Sequence, residues 1–520
     1  MIDWTSGYVA DIGYTFGYYT ELNPLRLKLA FLNAGLVCPE VGAACELGFG
    51  QGMSANLHAA ASTVSWFATD FNPAQADFAQ ELAAASGAGA QLFDQSFAEF
   101  CTRSDLPDFD YIGLHGIWSW ISDDNRAVIV DFVRRKLKVG GVLYISYNTQ
   151  PGWAAMVPLR DLLTGHGDIM GSSGQGTISR IDAAIDFADK LLTTNPTYSR
   201  ANPQVAERLK ALKGQNRNYL AHEYFNRDWL PMSFAAMTRW LGSAKLDFAG
   251  SANFLDHISA INITAEQQIF LNEIPDPLFR ETVRDFMVNQ QFRKDYWVKG
   301  ARRLNPLEQA EGLRKQKVML VQYRPDVSLT VKGALGEATM QEAVYDPILD
   351  FLADYQPRTL GQIEQAMKGK GIAFVQIREA ALLLCGTGVL CPVKDEADNP
   401  KVKRQTEKLN AWLMNKSRGS NDINYLASSV MGGGVFHDAF SATVFAVKES
   451  GQETPCRMGA VCLAVAGGSG AENHQGWQGT GYCRGKHGRT DGTGIGICGE
   501  AVANSESVGD CMTPWLKADG

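Results

Sequence analysis

The sequence predicts an α/β fold: a doubly wound parallel sheet at the N-terminal end, a mixed α+β middle segment and a small winged-helix-like C-terminal unit. Three observations lead there. Residues 1 to about 150 alternate short apolar runs with amphipathic stretches, the pattern of strand–helix–strand units. A glycine-rich turn joins the first of those strands to its helix. Residues 345–393 hold two amphipathic helices and then an apolar run, in the order helix, turn, helix, strand.

Strands are expected at Ala43–Leu47, Val64–Thr69, Phe109–Leu114 and Gly141–Ser146, with another ending just before Asp94. Helical spacing runs over Ser54–Ala61, Pro73–Ala85 and Asp124–Leu137. A Gly/Ser stretch at 165–176 breaks the pattern, and a polar-faced helical run follows over Ile178–Leu212. Two further strands are expected at Lys317–Val321 and Val327–Val331. The division is therefore 1–160, a helical connector 161–214, a second domain 215–335, the winged-helix-like unit 336–455 read as a packing module, and a tail 456–520. That tail is rich in Gly and Cys and has no helical or strand period. It reads either as disordered or as frame-shifted: moving the codons of Glu472–Gln478 by one base gives a charged, β-branched segment.

Composition narrows the function classes. With 45% hydrophobic and 20% charged residues in 520, the chain has ample length for more than one core and is not disordered throughout. A net charge of −8 argues against wrapping nucleic acid. No apolar run is long enough for a membrane span, and Met1–Trp4 lacks the basic start of a secretory signal, so a cytoplasmic location is expected. Cys38, Cys45, Cys101, Cys385 and Cys391 are scattered and read as buried thiols. Cys456, Cys462, Cys483, Cys498 and Cys511 crowd the tail without a CxxC pair, so no metal site is expected.

The most informative segment is Glu46-Leu47-Gly48-Phe49-Gly50-Gln51-Gly52. Its glycines permit a tight strand-to-helix turn with bare backbone beneath a ligand. A GxGxxG spacing would point to a pyrophosphate on the helix N-terminus. Here the spacing is GxGxG, and Glu46 stands two places before the first glycine. A carboxylate there suits a cofactor carrying positive charge, such as S-adenosylmethionine with its sulfonium and ammonium groups. Asp70 ends the second strand, about 20 residues past the glycines, where a carboxylate accepts ribose hydroxyls. Asp94 is placed to accept the adenine amino group, with Phe93 or Phe97 against the ring.

At these residues the chain resembles the class I S-adenosylmethionine-dependent methyltransferases, which have a Rossmann-like sheet. Leu137-Lys138-Val139-Gly140-Gly141 is similar to that superfamily's Leu-Lys-Pro-Gly-Gly turn, with Val139 in place of proline. Tyr14–Pro24, Leu114–Trp120, Ser146–Trp153 and Tyr219–Asn226, followed by Trp229 and Pro231, resemble methyltransferases that carry a regulatory domain. Bacterial protein-lysine methyltransferases of outer-membrane proteins belong to that group. The resemblance covers roughly residues 5 to 450 and leaves out the tail. It implies a cofactor-binding methyltransferase domain over 1–160 and a regulatory-type domain over 215–335. It also implies cofactor contacts from Glu46, Gly48, Phe49, Gly50, Gly52, Asp70 and Asp94.

Methyl transfer needs a nucleophile aligned with the methyl group and water kept out. An aromatic pocket lowers the pKa of an acceptor amine and tolerates cations on ring faces. His115 and Trp118 follow the fourth strand, Tyr147 follows the fifth, and Tyr14 precedes the sheet, so these four are the catalytic candidates. Trp120, Asn148, Trp153, Tyr18 and Tyr19 are further wall or core residues, and His222-Glu223 reads as a domain contact. The length beyond the sheet favours a protein acceptor, a lysine first. A small-molecule methyltransferase and a non-catalytic S-adenosylmethionine-binding scaffold are the alternatives. Nucleic acid is not favoured, since no Asn/Asp-Pro-Pro-aromatic motif stands near the fourth strand. Room is left for a homo-oligomer.

Overall fold

Each apolar run of the N-terminal segment becomes a strand. The computed structural model describes residues 5, 7–172, 174–419 and 422–436; the tail 456–520 lies outside the described residues. Strands β1 (Ala43–Leu47), β2 (Ser65–Asp70), β3 (Gln91–Asp94), β4 (Phe109–Leu114) and β5 (Leu137–Asn148) are parallel. Two more, β6 (Leu246–Ser251) and β7 (Phe292–Lys299), complete the sheet, with β7 antiparallel to both β5 and β6. The order is β3-β2-β1-β4-β5-β7-β6. Chain direction across the sheet reverses between β1 and β4, so the crevice above their carboxyl ends is where such folds take ligands. The sheet thus draws its strands from both segments expected as separate domains, 1–160 and 215–335.

Local chemistry explains the helices between the strands. Asn72 caps the helix Pro73–Ser86 by accepting from the Ala74 N–H, and Gly87 in the left-handed region ends it. Ser122 caps Asp123–Lys136, whose acidic first turn and basic last turn match the helix dipole. The helical run expected over 178–212 is three helices, Thr177–Thr193, Thr197–Ala201 and Gln204–Lys213. Pro196 and Pro203 stand at the two breaks, where a missing N–H interrupts the ladder.

The C-terminal part differs from expectation in detail. After β8 (Lys317–Leu320), a short 3-10 turn at Arg324–Asp326 delays the next strand, β9 (Thr330–Gly333), which forms a hairpin with β10 (Gly336–Thr339). Three helices follow rather than two, Glu342–Phe351, Leu360–Ala366 and Phe374–Gly386. Between and after them, β11 (Arg358–Thr359) and β12 (Leu390–Pro392) both pair with β8. The third strand of this small sheet therefore comes from before the first helix, and no hairpin wing follows β12. Instead the chain enters the helix Asn399–Ser417, where Thr406 Oγ1 donates to Ala60 O at 2.7 Å. Asn410 then exchanges two hydrogen bonds with Ala427 and ties down the closing hairpin β13 (Tyr425–Ser428) and β14 (Gly433–Phe436). The helix Met53–Ala61, roofed by these elements, is buried on every side. No described helix is long and apolar enough to cross a membrane.

Candidate active site

The turn after β1 is built from glycines for two different reasons. Gly48, Gly50 and Gly52 have φ of 76°, 56° and 70°, a region that L side chains rarely enter. A Cβ on Gly48 would strike Ile117, and one on Gly52 would strike Ala79, so packing alone demands glycine at both. A Cβ on Gly50 would meet only Tyr14 Cδ1, at 3.5 Å. Its backbone therefore faces the space under Tyr14. Three hydrogen bonds fasten the turn to β2: Gly48 N–H to Thr69 O at 2.8 Å, Phe49 N–H to the same oxygen at 3.3 Å and Gly50 N–H to Asp70 Oδ2 at 2.8 Å.

The three acids expected from the sequence stand at the carboxyl ends of adjacent strands. Glu46 is buried, and its Oε2 has no hydrogen-bond partner. Burial, with Asp70 nearby, pushes its carboxyl up to about 8. Asp70 is 6% exposed, and its Oδ1 accepts the Asn72 N–H at 3.0 Å. Burial raises it to about 6, although N–H donors from Asn72, Gly50 and Phe71 oppose the rise. Asp94 sits in register beside Asp70, as the last residue of β3 rather than just past it, and is exposed. Phe49 is buried below the turn, and Phe93 is half-buried with the Arg103 guanidinium 4.2 Å over its ring.

Aromatic rings close the space above. Gln51 Nε2 donates to Tyr14 O at 3.1 Å, holding Tyr14 over Gly50. Tyr19 stacks on His115 at 3.7 Å, and His115 Nδ1 shares a 2.7 Å hydrogen bond with the Tyr144 hydroxyl. Burial lowers His115 to about 3, with Lys294 adding to the effect, so its ring is neutral at neutral pH. Tyr8 lies 5.6 Å from Phe71 and 5.4 Å from His222, ring to ring. Below His115, Lys294 Nζ reaches Glu21 Oε1 at 2.8 Å. Burial alone would raise Glu21, but Lys294 and Arg26 outweigh it and the group falls to about 2.

Two of the four catalytic candidates therefore belong to this cluster of rings, His115 and Tyr14, and two do not. Trp118 is fully buried in the core on the other face of the sheet, edge-on to Trp240 at 5.7 Å. Tyr147 is in that same core and donates to Asp295 Oδ2 at 2.8 Å. The reason is the two-residue alternation of a strand. Along β5 it is Tyr144, Ser146 and Asn148 that share the face turned to His115, and the buried Asn148 amide has no partner there. Trp153 packs against Trp229, Tyr18 against His58, and Trp120 donates to Glu223 O. Sequence reasoning missed Tyr8, Tyr144, Glu21, Lys294 and the side chain of Glu223. The alternation of β5 and the density of tyrosines at residues 8–19 could have pointed to the first two. The pairing of Glu21 with Lys294 left no trace in the sequence. No group of three His, Cys, Asp or Glu side chains that could hold a metal occurs among the described residues.

Comparison with known proteins places the fold. The family described as a predicted methyltransferase regulatory domain matches residues 216–299. An uncharacterized protein of Synechocystis sp. is 39% identical over 457 residues, covering 87% of this chain and 89% of that one. A second uncharacterized protein, from Rickettsia prowazekii, is 26% identical over 294 residues, 54% of this chain and 51% of its own. Among solved structures, PKMT2 from Rickettsia typhi in complex with AdoHcy has the same fold, with a TM-score of 0.60 at 17% identity over 84% of this chain and 88% of that one. The chain belongs to one family with the Synechocystis protein, and its residues 216–299 match the predicted methyltransferase regulatory domain.

Proposed function

We propose that the chain transfers a methyl group from S-adenosylmethionine to a protein acceptor in the cytoplasm, a lysine side chain by preference, in the chamber above β1, β2 and β4. The observation that carries this is Glu46, a buried carboxylate with an unpartnered oxygen at the head of a glycine turn. Such a group is unfavourable unless a cation meets it. The residues fit the cofactor: bare backbone at Gly50, a carboxylate for an ammonium group, and two more carboxylates along the strand ends. When bound, S-adenosylmethionine supplies a methyl group activated by its sulfonium.

The chain's own residues do the rest. Glu46 would hold the cofactor ammonium, and Asp94 the adenine amino group. Asp70 would accept the ribose hydroxyls with the lone pairs left after the Gly50 and Asn72 N–H groups are bound. Tyr8, Tyr14 and Tyr19 exclude water and offer ring faces and hydroxyls to cationic groups. Their enclosure disfavours a charged amine, which leaves the acceptor lone pair free to attack. His115, neutral and stacked on Tyr19, keeps that wall flat. The lysine preference is carried over from the resemblance, and the length of chain beyond the sheet supports a macromolecular acceptor.

Calorimetric titration with S-adenosylmethionine, followed by transfer of labelled methyl groups into fractionated lysate, tests this reading. Binding is expected, with label in the protein fraction. Label in small molecules would replace the acceptor, and binding without transfer would make the chain a scaffold.

A further inference from the structure

Residues 7–19 cross the glycine turn as a strap that forms neither helix nor strand, yet only Asp11 and Gly13 of it are exposed. Main-chain groups in such a segment must find partners outside it, and four of them find the regulatory domain. Asn226 Oδ1 accepts the Val9 N–H at 2.8 Å, and the Arg227 N–H donates to Gly7 O at 3.0 Å. His222 Nε2 donates to Ile12 O at 3.0 Å, and Asn218 Nδ2 donates to Gly13 O at 3.2 Å. All four come from the helix Arg217–Tyr224 and the residues just after it. The fit is steric as well: Gly7 has a φ of 82°, and a Cβ there would strike the Arg227 side chain. Asn226 is fully buried and its Nδ2 donates to His222 O, which fixes the amide with Oδ1 towards the strap.

On its other side the strap lies on the turn itself. Tyr14 stands over Gly50 at van der Waals distance, and its main-chain oxygen is held by Gln51. The Tyr19 N–H donates to Ser54 Oγ at 3.1 Å, and the Tyr8 ring lies against Phe71, the residue after Asp70. A molecule bound on Gly50 can come or go only when Tyr14 lifts away. We propose that Asn226 and His222 are the latch that holds residues 7–19 down over the turn, so that the regulatory domain sets how fast S-adenosylmethionine enters and S-adenosylhomocysteine leaves. Both are positioning residues, acting on the cofactor through the strap. This rests on the reading that the turn binds S-adenosylmethionine, and it adds a control on that binding. A latch opposes entry and departure alike, so its removal speeds both and leaves their ratio, the affinity, nearly unchanged. Damage to the site acts otherwise, because it speeds departure alone and weakens binding.

The test uses full-length protein and S-adenosylhomocysteine. Association and dissociation rates are read by stopped-flow fluorescence, and the strap by amide hydrogen exchange. In wild type, saturating S-adenosylhomocysteine is expected to slow exchange over residues 7–19 by about tenfold or more. Asn226→Ala should raise both rates by about tenfold while Kd changes by less than about threefold. Asn218→Ala, at a half-buried position, should raise both by about threefold and serves where Asn226→Ala does not fold. Strap exchange that ignores the ligand in wild type would overturn the proposal, and that measurement needs no variant. Association as slow in the variants as in wild type would overturn it as well, even if departure quickens, by making these residues ordinary supports of the site. Failure of wild type to bind S-adenosylhomocysteine at all would instead bring down the cofactor reading on which the proposal stands, so the two failures are distinguishable.

Discussion

Arg293 on β7 reaches Asp285 at 2.6 Å, Asp295 at 3.0 Å and Glu281 at 3.1 Å, and Tyr147 donates to Asp295 from the other side. Glu46 and Glu223 are buried nearly as deeply, and among the described residues neither forms an ion pair with a lysine or arginine. Both regions take acid groups out of water. Around Arg293 the guanidinium is shared among three carboxylates, and Phe234 stacks beneath it at 4.3 Å. Burial and crowding still raise Asp285, to about 7, so one arginine does not neutralise the whole cluster. The difference teaches which buried charge is scaffold and which is site: a scaffold brings its partners from its own chain, whereas a site leaves the partner to be supplied by what it binds.

Breaking the first region should have the largest effect. Arg293→Met strands three acids and is expected to cost about 3–5 kcal/mol of stability, read by denaturant unfolding. A loss below about 1 kcal/mol would mean the cluster is no scaffold. In the second region, Gly50→Trp should abolish cofactor binding in calorimetry while the fold survives, because the added ring enters the chamber under Tyr14 rather than the core. The same change at Gly48 or Gly52 should instead unfold the protein, since the side chain would meet Ile117 or Ala79. Asp70→Ala should weaken cofactor binding by about 1–3 kcal/mol. Unchanged affinity there would remove the ribose assignment.

The smallest effect sharpens the comparison through pH. Glu46 and Glu223 have folded values of about 8 against an ordinary 4.5, so between those limits the folded cofactor-free protein holds protons that the unfolded chain has lost. Stability from these groups is present below about pH 4.5 and is lost as pH rises towards about 8. Glu46→Gln should flatten that slope in thermal unfolding of the cofactor-free protein. The wild type should also release protons on binding S-adenosylmethionine near pH 7, read by calorimetry in buffers of different ionisation heat. An unchanged slope, or binding without proton release, would show that Glu46 is already ionised without a ligand.

How much of this the sequence foretold depends on the range of the contacts. β1 and β4 lie where the apolar runs place them, because strand and turn patterns are local. Glu46, Asp70 and Asp94 were legible for a related reason: a doubly wound sheet brings successive strand ends side by side, so distance along the chain translates into position. The walls were harder. Trp118 and His115 follow the same strand, yet a short turn sends one into the core and leaves the other under Tyr19. Tyr147 and Tyr144 differ only in parity. Glu21 and Lys294 are 273 residues apart and meet solely because β7 returns along β5. Such partners obey no spacing rule.

The route by which β7 returns has a consequence for how the protein can be divided. Between β5 and β6 the chain leaves the sheet for nearly a hundred residues (149–245), then comes back to cover the β5 edge over seven paired positions, from Val142↔Val298 to Asn148↔Phe292. A fragment cut at the end of β5 would present that edge naked to solvent, an open template for aggregation. The excursion itself carries the helix Arg217–Tyr224 back onto the turn after β4 and lays His222 against Tyr14, so it too is held in place by the sheet it leaves.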